Sequence, residues 1–244
     1  MNSSDMELYD DVGRIDLAKR LASGLVGWLH CMAARNVGYL ADEDAARVEL
    51  CQILNGQRKN IMPRKNVVPT DWKAGDRYLD VGIGEVDHLD HVVHGAIELK
   101  WSSTTPIENV RRDIVQDIIR LASVHPTRPV VRFMLLGGGL NLDKLFSQEH
   151  KKHELLVQRD FICDLMAQSL SEPSRQVPIE ELSLAFKDCF DRLPSDVNRN
   201  YSAIRTELLG KMEIYREWSV PGHVDKTLRE SWGQVMVWQI DPTA

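Results

Sequence analysis

The chain has no long apolar run. Its hydrophobic stretches are broken by polar residues well short of the roughly 20 residues that a membrane-crossing helix needs. The opening MNSSDMELYDDVGRID is acidic and has no apolar core, so it does not read as a secretory signal. Cysteine is scarce: Cys31, Cys51, Cys163 and Cys189 lie far apart and form no CxxC pair. That argues against a zinc site built from thiolates. Three of the four fall in apolar, helix-like stretches, and all read as reduced core residues of a cytoplasmic protein. An excess of positive charge is also missing, with 30 Lys and Arg against 36 Asp and Glu and a net charge of -6. This excludes nucleic-acid binding through overall charge, because that term scales with the phosphates neutralised. A local basic surface or a cation-assisted site stays open. No serine sits in GxSxG, and neither GxGxxG nor a Walker lysine follows Gly137–Gly139. Internal repeats and low-complexity tracts are absent too.

What is present is an ordinary globular composition, 43% apolar and 27% charged over 244 residues. That length suits one large domain or a core with an appendage. Apolar spacing predicts helices over 14–34 and about 42–55, the second with Asp42 as its N-cap. Residues 57–76 are irregular and locally basic, with Arg58, Lys59, Arg64 and Lys65 and a short edge strand near Val67–Val68. Strands are predicted at Arg77–Ile83 (RYLDVGI) and Gly95–Trp101 (GAIELKW), joined as a hairpin through 84–94. A helix over about 107–124 follows, then a strand at Val130–Leu136 buried on both faces. Further on, helices are predicted at 150–169 and 178–192 and a strand at Gln234–Ile240, while Ala203–Met212 is ambiguous. This order implies an α/β fold with a mixed central sheet flanked by helices.

The chemistry-bearing residues follow from strand alternation. Ile97 and Leu99 point one way, so Glu98 and Lys100 point the other, and Asp80 points away from Leu79 and Val81. If the two strands pair, two carboxylates and an amine converge. Two carboxylates with waters suit Mg²⁺, a hard cation that prefers oxygen. The ion can polarise a phosphoryl oxygen and supply hydroxide near neutral pH. Lys100 can orient or deprotonate the attacking water, or stabilise transition-state charge. An isolated Glu-x-Lys is common as a solvated pair; here an apolar strand carries it and a preceding strand supplies the second acid.

RYLDVGI, the eighteen positions from Asp80 to Glu98, and AIELKW resemble the PD-(D/E)XK superfamily of restriction-endonuclease-like proteins. The resemblance covers about residues 42–136 and implies that family's αβββαβ core. It implies Asp80 and Glu98 as metal ligands and Lys100 as the catalytic lysine of a Mg²⁺-dependent phosphodiester hydrolase, with Mn²⁺ as a substitute. The expected function is an endonuclease on nucleic acid, DNA first, in restriction or phage defence; the alternative is a catalytically silent binding or assembly subunit. The acidic charge points to a local groove, a homodimer or a partner subunit for binding, with no membrane involved. The domain expectation is an N-terminal helical segment at 1–40, the nuclease-like core at 41–148, and 149–244 as a helical extension with C-terminal strands, separate or completing the same domain. No proline precedes Asp80, and Arg64 and Lys65 stand where related proteins often carry an acid.

Other positions extend the site. Glu49 is the helix acid expected to join the metal ligands, with a solvent-facing acid as the alternative. Gln116 and Asp117, together with Glu85, are candidates to line the site. Arg111, Arg112 and Arg120 are candidates to touch phosphate, or form an ordinary charged helix face. His88, His91 and His94 recur every third residue beside Asp87 and Asp90. Their spacing fits no standard zinc pattern, so a zinc-dependent hydrolase is a third, weaker reading.

Overall fold

The computed structural model describes residues 11–35, 41–57, 79–86, 91–102, 107–124, 130–138, 164–165, 168, 171–185, 187, 202–219 and 227–243. Helix α1 (Asp11–Ala34) and helix α2 (Glu43–Gln57) precede strands β1 (Val81–Val86) and β2 (His91–Ser102). Helix α3 (Ile107–Ser123) leads to β3 (Val131–Gly138); then come β4 (Ser174–Pro178), helix α4 (Ile179–Ala185), β5 (Ala203–Ser219) and β6 (Thr227–Thr243). The strands form one six-stranded sheet in the order β1-β2-β3-β6-β5-β4. β2 and β3 run parallel and every other pair is antiparallel. The α3 connection explains the parallel pair, since a crossover needs a long return segment.

Two cores lie on the two faces of this sheet. Leu17, Leu21, Leu25 and Leu29 recur at four-residue steps on α1, and Ala46, Leu50 and Leu54 do the same on α2. These bury against Val81, Ile83, Ile97, Leu99, Phe133, Leu135, Val235 and Val237. The helices sit close because Gly24 of α1 has no side chain: a Cβ there would lie 2.6 Å from Ile53 Cδ1. On the other face Val110, Ile114, Ile118 and Leu121 of α3 pack with Ala96, Met134, Leu136, Leu208, Met236 and Trp238. β3 lies between two layers of helix and is buried at every position, as its unbroken apolar run predicts. Its one charge, Arg132, donates to Val124 O at 2.7 and 3.1 Å and to Val130 O at 3.0 Å. The guanidinium thereby satisfies carbonyls just past the end of α3.

Most predicted elements stand, with shifted limits. Asp42 caps α2, accepting from Ala45 N at 2.8 Å. The ambiguous 203–212 segment is a strand, and it runs on to Ser219 because it pairs with β6 over nearly its whole length. β1 starts at Val81, so Asp80 lies in a bend before the strand and not inside it. The predicted connection 84–94 is shorter than expected, because β1 runs to Val86 and β2 starts at His91. Cys31 is exposed and not a core residue, about 200° round α1 from buried Leu29. Cys51 is half-buried, and both thiols are free. Val67–Val68, the basic 58–65 stretch, Cys163, Cys189 and most of the helix predicted at 150–169 lie outside the described residues. Among the described residues no helix is long and apolar enough to cross a membrane.

Candidate active site

The site forms where β1 leaves the sheet. Pairing between β1 and β2 stops at Val81↔Ile97, while β2 continues to Ser102. The N–H groups of Leu99 and Trp101, which β1 would otherwise have met, need acceptors. Side-chain carboxylates supply them: Leu99 N donates to Asp80 Oδ2 at 2.9 Å and Trp101 N to Glu43 Oε2 at 3.4 Å. Asp80 N donates in turn to Glu98 Oε2 at 3.4 Å. The bend at Asp80 also carries the chain across the sheet edge. Leu79 packs in the core beside α3, whereas Val81 and Ile83 pack in the core beside α1 and α2.

Three cations interleave with the acids gathered there. Arg47 of α2 places Nη2 at 2.9 Å and Nε at 3.1 Å from Asp80 Oδ1. It also pairs with Glu43 at 3.3 Å and with Asp44, both on its own helix. Arg120 of α3 places Nη1 at 2.9 Å from Glu98 Oε1 and 3.1 Å from Asp117 Oδ1. Lys100 Nζ bridges the two helices, 3.3 Å from Asp117 Oδ2 and 3.6 Å from Glu43 Oε1. Glu43, Asp80, Glu98 and Asp117 thus face Arg47, Lys100 and Arg120, four potential negative charges against three positive. Trp101 closes the floor: only 4% exposed, it meets Trp28 edge to face with centroids 5.7 Å apart. Its ring lies so near β3 that a Cβ on Gly137 would come within 2.2 Å of it.

Burial without full compensation raises the acids. Glu98 is 1% exposed; burial pushes its carboxyl well above the ordinary range, Asp117 and Asp80 push further, and Arg120 opposes them. Burial likewise pushes Asp117 up to about 6 against the pull of Lys100 and Arg120. Glu43 is raised as well, by burial first, with Lys100 opposing. Burial alone would lower the Lys100 amine, but Asp117, Glu43 and Asp80 outweigh it and hold the amine above the ordinary lysine value. Lys100 is therefore an ammonium at neutral pH.

No protein-family model, no curated protein and no solved structure matches the chain.

The structure thus brings together Asp80, Glu98 and Lys100, and adds Asp117 and Arg120 from the helix where they were expected. Arg120 contacts the two acids, the partners that its burial beside them dictates. Glu49 joins none of the ion pairs of the cluster: it lies about 200° round α2 from Arg47, whereas Glu43 on the same helix pairs with Lys100 and accepts from Trp101 N. Gln116 is half-buried and joins none of these ion pairs. Arg111, Arg112 and Glu85 lie on described backbone, but their side chains fall outside the described residues. So do the side chains of His91 and His94 and all of His88. Glu43 and Arg47 were missed by sequence reasoning. An acid and a base four apart on a helix are also what a solvated surface pair looks like, so no signal marked them.

The acids of the cluster offer only oxygen donors, the kind a hard cation takes. Mg²⁺ keeps several waters and takes one or two carboxylates, which Asp80 and Glu98 can supply from adjoining backbone. Asp117 Oδ2 is buried and receives no aligned hydrogen bond, although Lys100 stands at ion-pair distance. Among the described residues no three Asp, Glu, His or Cys side chains are grouped so as to hold a metal ion. Arg47 and Arg120 instead each engage one oxygen of Asp80 and Glu98.

Proposed function

We propose that the chain is a metal-dependent endonuclease that hydrolyses phosphodiester bonds of nucleic acid, DNA first. The observation that carries this reading is the meeting of Asp80, Glu98 and Lys100 at the sheet edge just before β1 begins. The element order supports a restriction-endonuclease-like core: helix α2, hairpin β1–β2, helix α3, and β3 parallel to β2. The remaining strand of an αβββαβ core would fall in 58–78, outside the described residues.

Asp80 and Glu98 would hold Mg²⁺, which supplies a polarised phosphoryl oxygen and a hydroxide near neutral pH. The chain's own groups do the rest. The Leu99 N–H fixes one oxygen of Asp80 and leaves the other directed at solvent-side partners. Arg120 fixes Glu98 from inside. Lys100, held charged by three carboxylates, stabilises the negative charge that grows on the phosphoryl oxygens. It does not take the proton of the attacking water, because an amine with a raised pKa is the wrong base at neutral pH.

A second reading has its own observation. The guanidinium groups of Arg47 and Arg120 already compensate Asp80 and Glu98, which favours a silent subunit that uses the fold for binding or assembly. Incubating plasmid DNA with Mg²⁺ or Mn²⁺ separates the two. The nuclease reading expects cleavage by wild type and a loss of about 10²–10³-fold in Glu98→Gln and Lys100→Met, the size typical for removing one electrostatic stabiliser. Cleavage that survives both substitutions removes this mechanism, and absence of cleavage with either ion supports the silent subunit.

A further inference from the structure

Arg47 and Arg120 both neutralise site carboxylates, but they are held differently. Arg120 has Glu98 and Asp117 as partners, and both carboxylates are buried. Arg47 has one partner from outside its own helix, Asp80, and two on α2 itself, Glu43 one turn back and Asp44 beside it. Asp44 is exposed to water and Glu43 is partly so. Arg47 can therefore let go of Asp80 and stay paired. The contact is also one-sided. Nε and Nη2 both reach Oδ1, while Oδ2 accepts from the Leu99 N–H. The guanidinium thus covers the Asp80 oxygen that holds no backbone N–H.

We infer that Arg47 is an internal counter-ion of Asp80, occupying the Oδ1 position in place of a divalent cation and yielding it when the cation binds. This rests on the metal-site reading of the preceding section. The physical reason is charge. With Arg47 absent and no metal bound, Asp80 would face Glu43, Glu98 and Asp117 with only Lys100 and Arg120 to compensate them, and uncompensated charge at a partly buried site is strongly destabilising. Arg47 keeps the acids assembled before the ion arrives, at the expense of ion affinity. The exchange is a swap of cations on one carboxylate oxygen, and no covalent bond changes.

The test is Mn²⁺ binding by isothermal titration calorimetry on the full chain, which needs no catalytic turnover. Arg47→Gln should bind Mn²⁺ at least about tenfold tighter than wild type, the worth of one charge-assisted hydrogen bond removed from competition. Arg47→Lys keeps the charge and should stay near wild type, while Asp80→Asn should bind no Mn²⁺ in either background. Equal or weaker binding by Arg47→Gln overturns the counter-ion role and leaves the metal reading intact. No Mn²⁺ binding by wild type or Arg47→Gln overturns both. If Arg47→Gln does not fold, Mg²⁺ titration of wild type decides the matter through the Arg47 Nε–H resonance in an NMR spectrum. A shift on binding is expected, and a resonance unmoved at saturation overturns the proposal.

Discussion

Replacing Arg120 with Met tests the electrostatics of the site most directly. The side chain of Glu98 is 1% exposed and that of Asp117 is 3% exposed, and one nitrogen of Arg120 serves both at 2.9 and 3.1 Å. Methionine fills much of the same volume and carries no charge, so packing is largely conserved. What is lost is the ion pair to two carboxylates in a dry position. Breaking a buried pair by removing one partner costs about 3–5 kcal/mol, and that is the loss expected at pH 7 from urea denaturation followed by tryptophan fluorescence. With a urea slope of about 2 kcal/mol/M, the midpoint falls by roughly 2 M. The pH dependence identifies the cause. Arg120 lowers the pKa of both Glu98 and Asp117, so in the variant both rise further above their unfolded values. A group whose folded pKa is raised adds stability below its unfolded pKa and loses it as pH climbs through the folded value. Each extra proton bound by the folded state contributes about 1.4 kcal/mol per pH unit. The penalty should therefore shrink by half or more between pH 7 and pH 5. Adding Glu98→Gln to Arg120→Met should recover stability, because one buried charge is gone. A loss below about 1 kcal/mol at pH 7, or an equal loss at pH 5 and pH 7, would refute this account of the cluster.

Four more substitutions probe other links. Asp117→Asn should flatten the pH dependence of wild-type stability: with Asp117 at about 6 in the folded protein against 3.8 ordinarily, wild type loses about 1–3 kcal/mol as pH rises from 4 to 7, and urea midpoints across that range read it. Gly137→Ala should destabilise by about 1–3 kcal/mol through overpacking, since its Cβ would meet the buried Trp101 ring; a shifted tryptophan emission should accompany the lower midpoint, and an unchanged protein would mean that the ring is free to move. Glu43→Gln and Glu49→Gln should separate by urea midpoint, the first weakening the site by about 1–2 kcal/mol through Lys100 and the Trp101 N–H, the second staying within about 0.5 kcal/mol.

The hairpin, the α3 crossover and the face shared by Glu98 and Lys100 were legible because alternation and helical spacing follow directly from backbone geometry. Ile97, Leu99 and Trp101 do share one core, and Val110, Ile114 and Ile118 the other. What alternation mishandled was Asp80. Leu79, Val81 and Ile83 are all buried, so they read as one continuous strand face, yet Leu79 and Val81 belong to opposite sides of the sheet. The residue between them turns the chain, and its side chain substitutes for backbone at the edge of β2. A turn made by a hydrogen bond to a residue nineteen positions away has no local signature. Glu43 and Arg47 were hidden for a related reason. Their partners, Lys100, Trp101 and Asp80, lie 33 to 58 positions downstream, and within α2 they resemble an ordinary surface pair. The length of β5 was similarly out of reach, because its partner β6 decides how far it extends.

The cluster is a poor way to hold a fold together. Desolvating Glu98, Asp117 and Arg120 costs several kcal/mol for each ion, and their attraction repays this only when every oxygen is well bonded. That condition is unmet here, since Asp117 Oδ2 lacks an aligned hydrogen bond and burial raises both Glu98 and Asp117 despite their cationic neighbours. Meanwhile the sheet on either side is closed by unbroken apolar packing from Phe133, Leu135, Val237 and Trp238, so leucines in the same three places would serve stability as well or better. Edge capping accounts for Asp80 and Glu43, which satisfy N–H groups of β2, and Glu98 accepts from the Asp80 N–H, but none of this gives a reason for a charged Asp117 and Lys100 beside them. The excess of acid over base there suits the small cation of the proposed function. This asymmetry, more than the spacing of any motif, supports reading the cluster as chemical and not architectural.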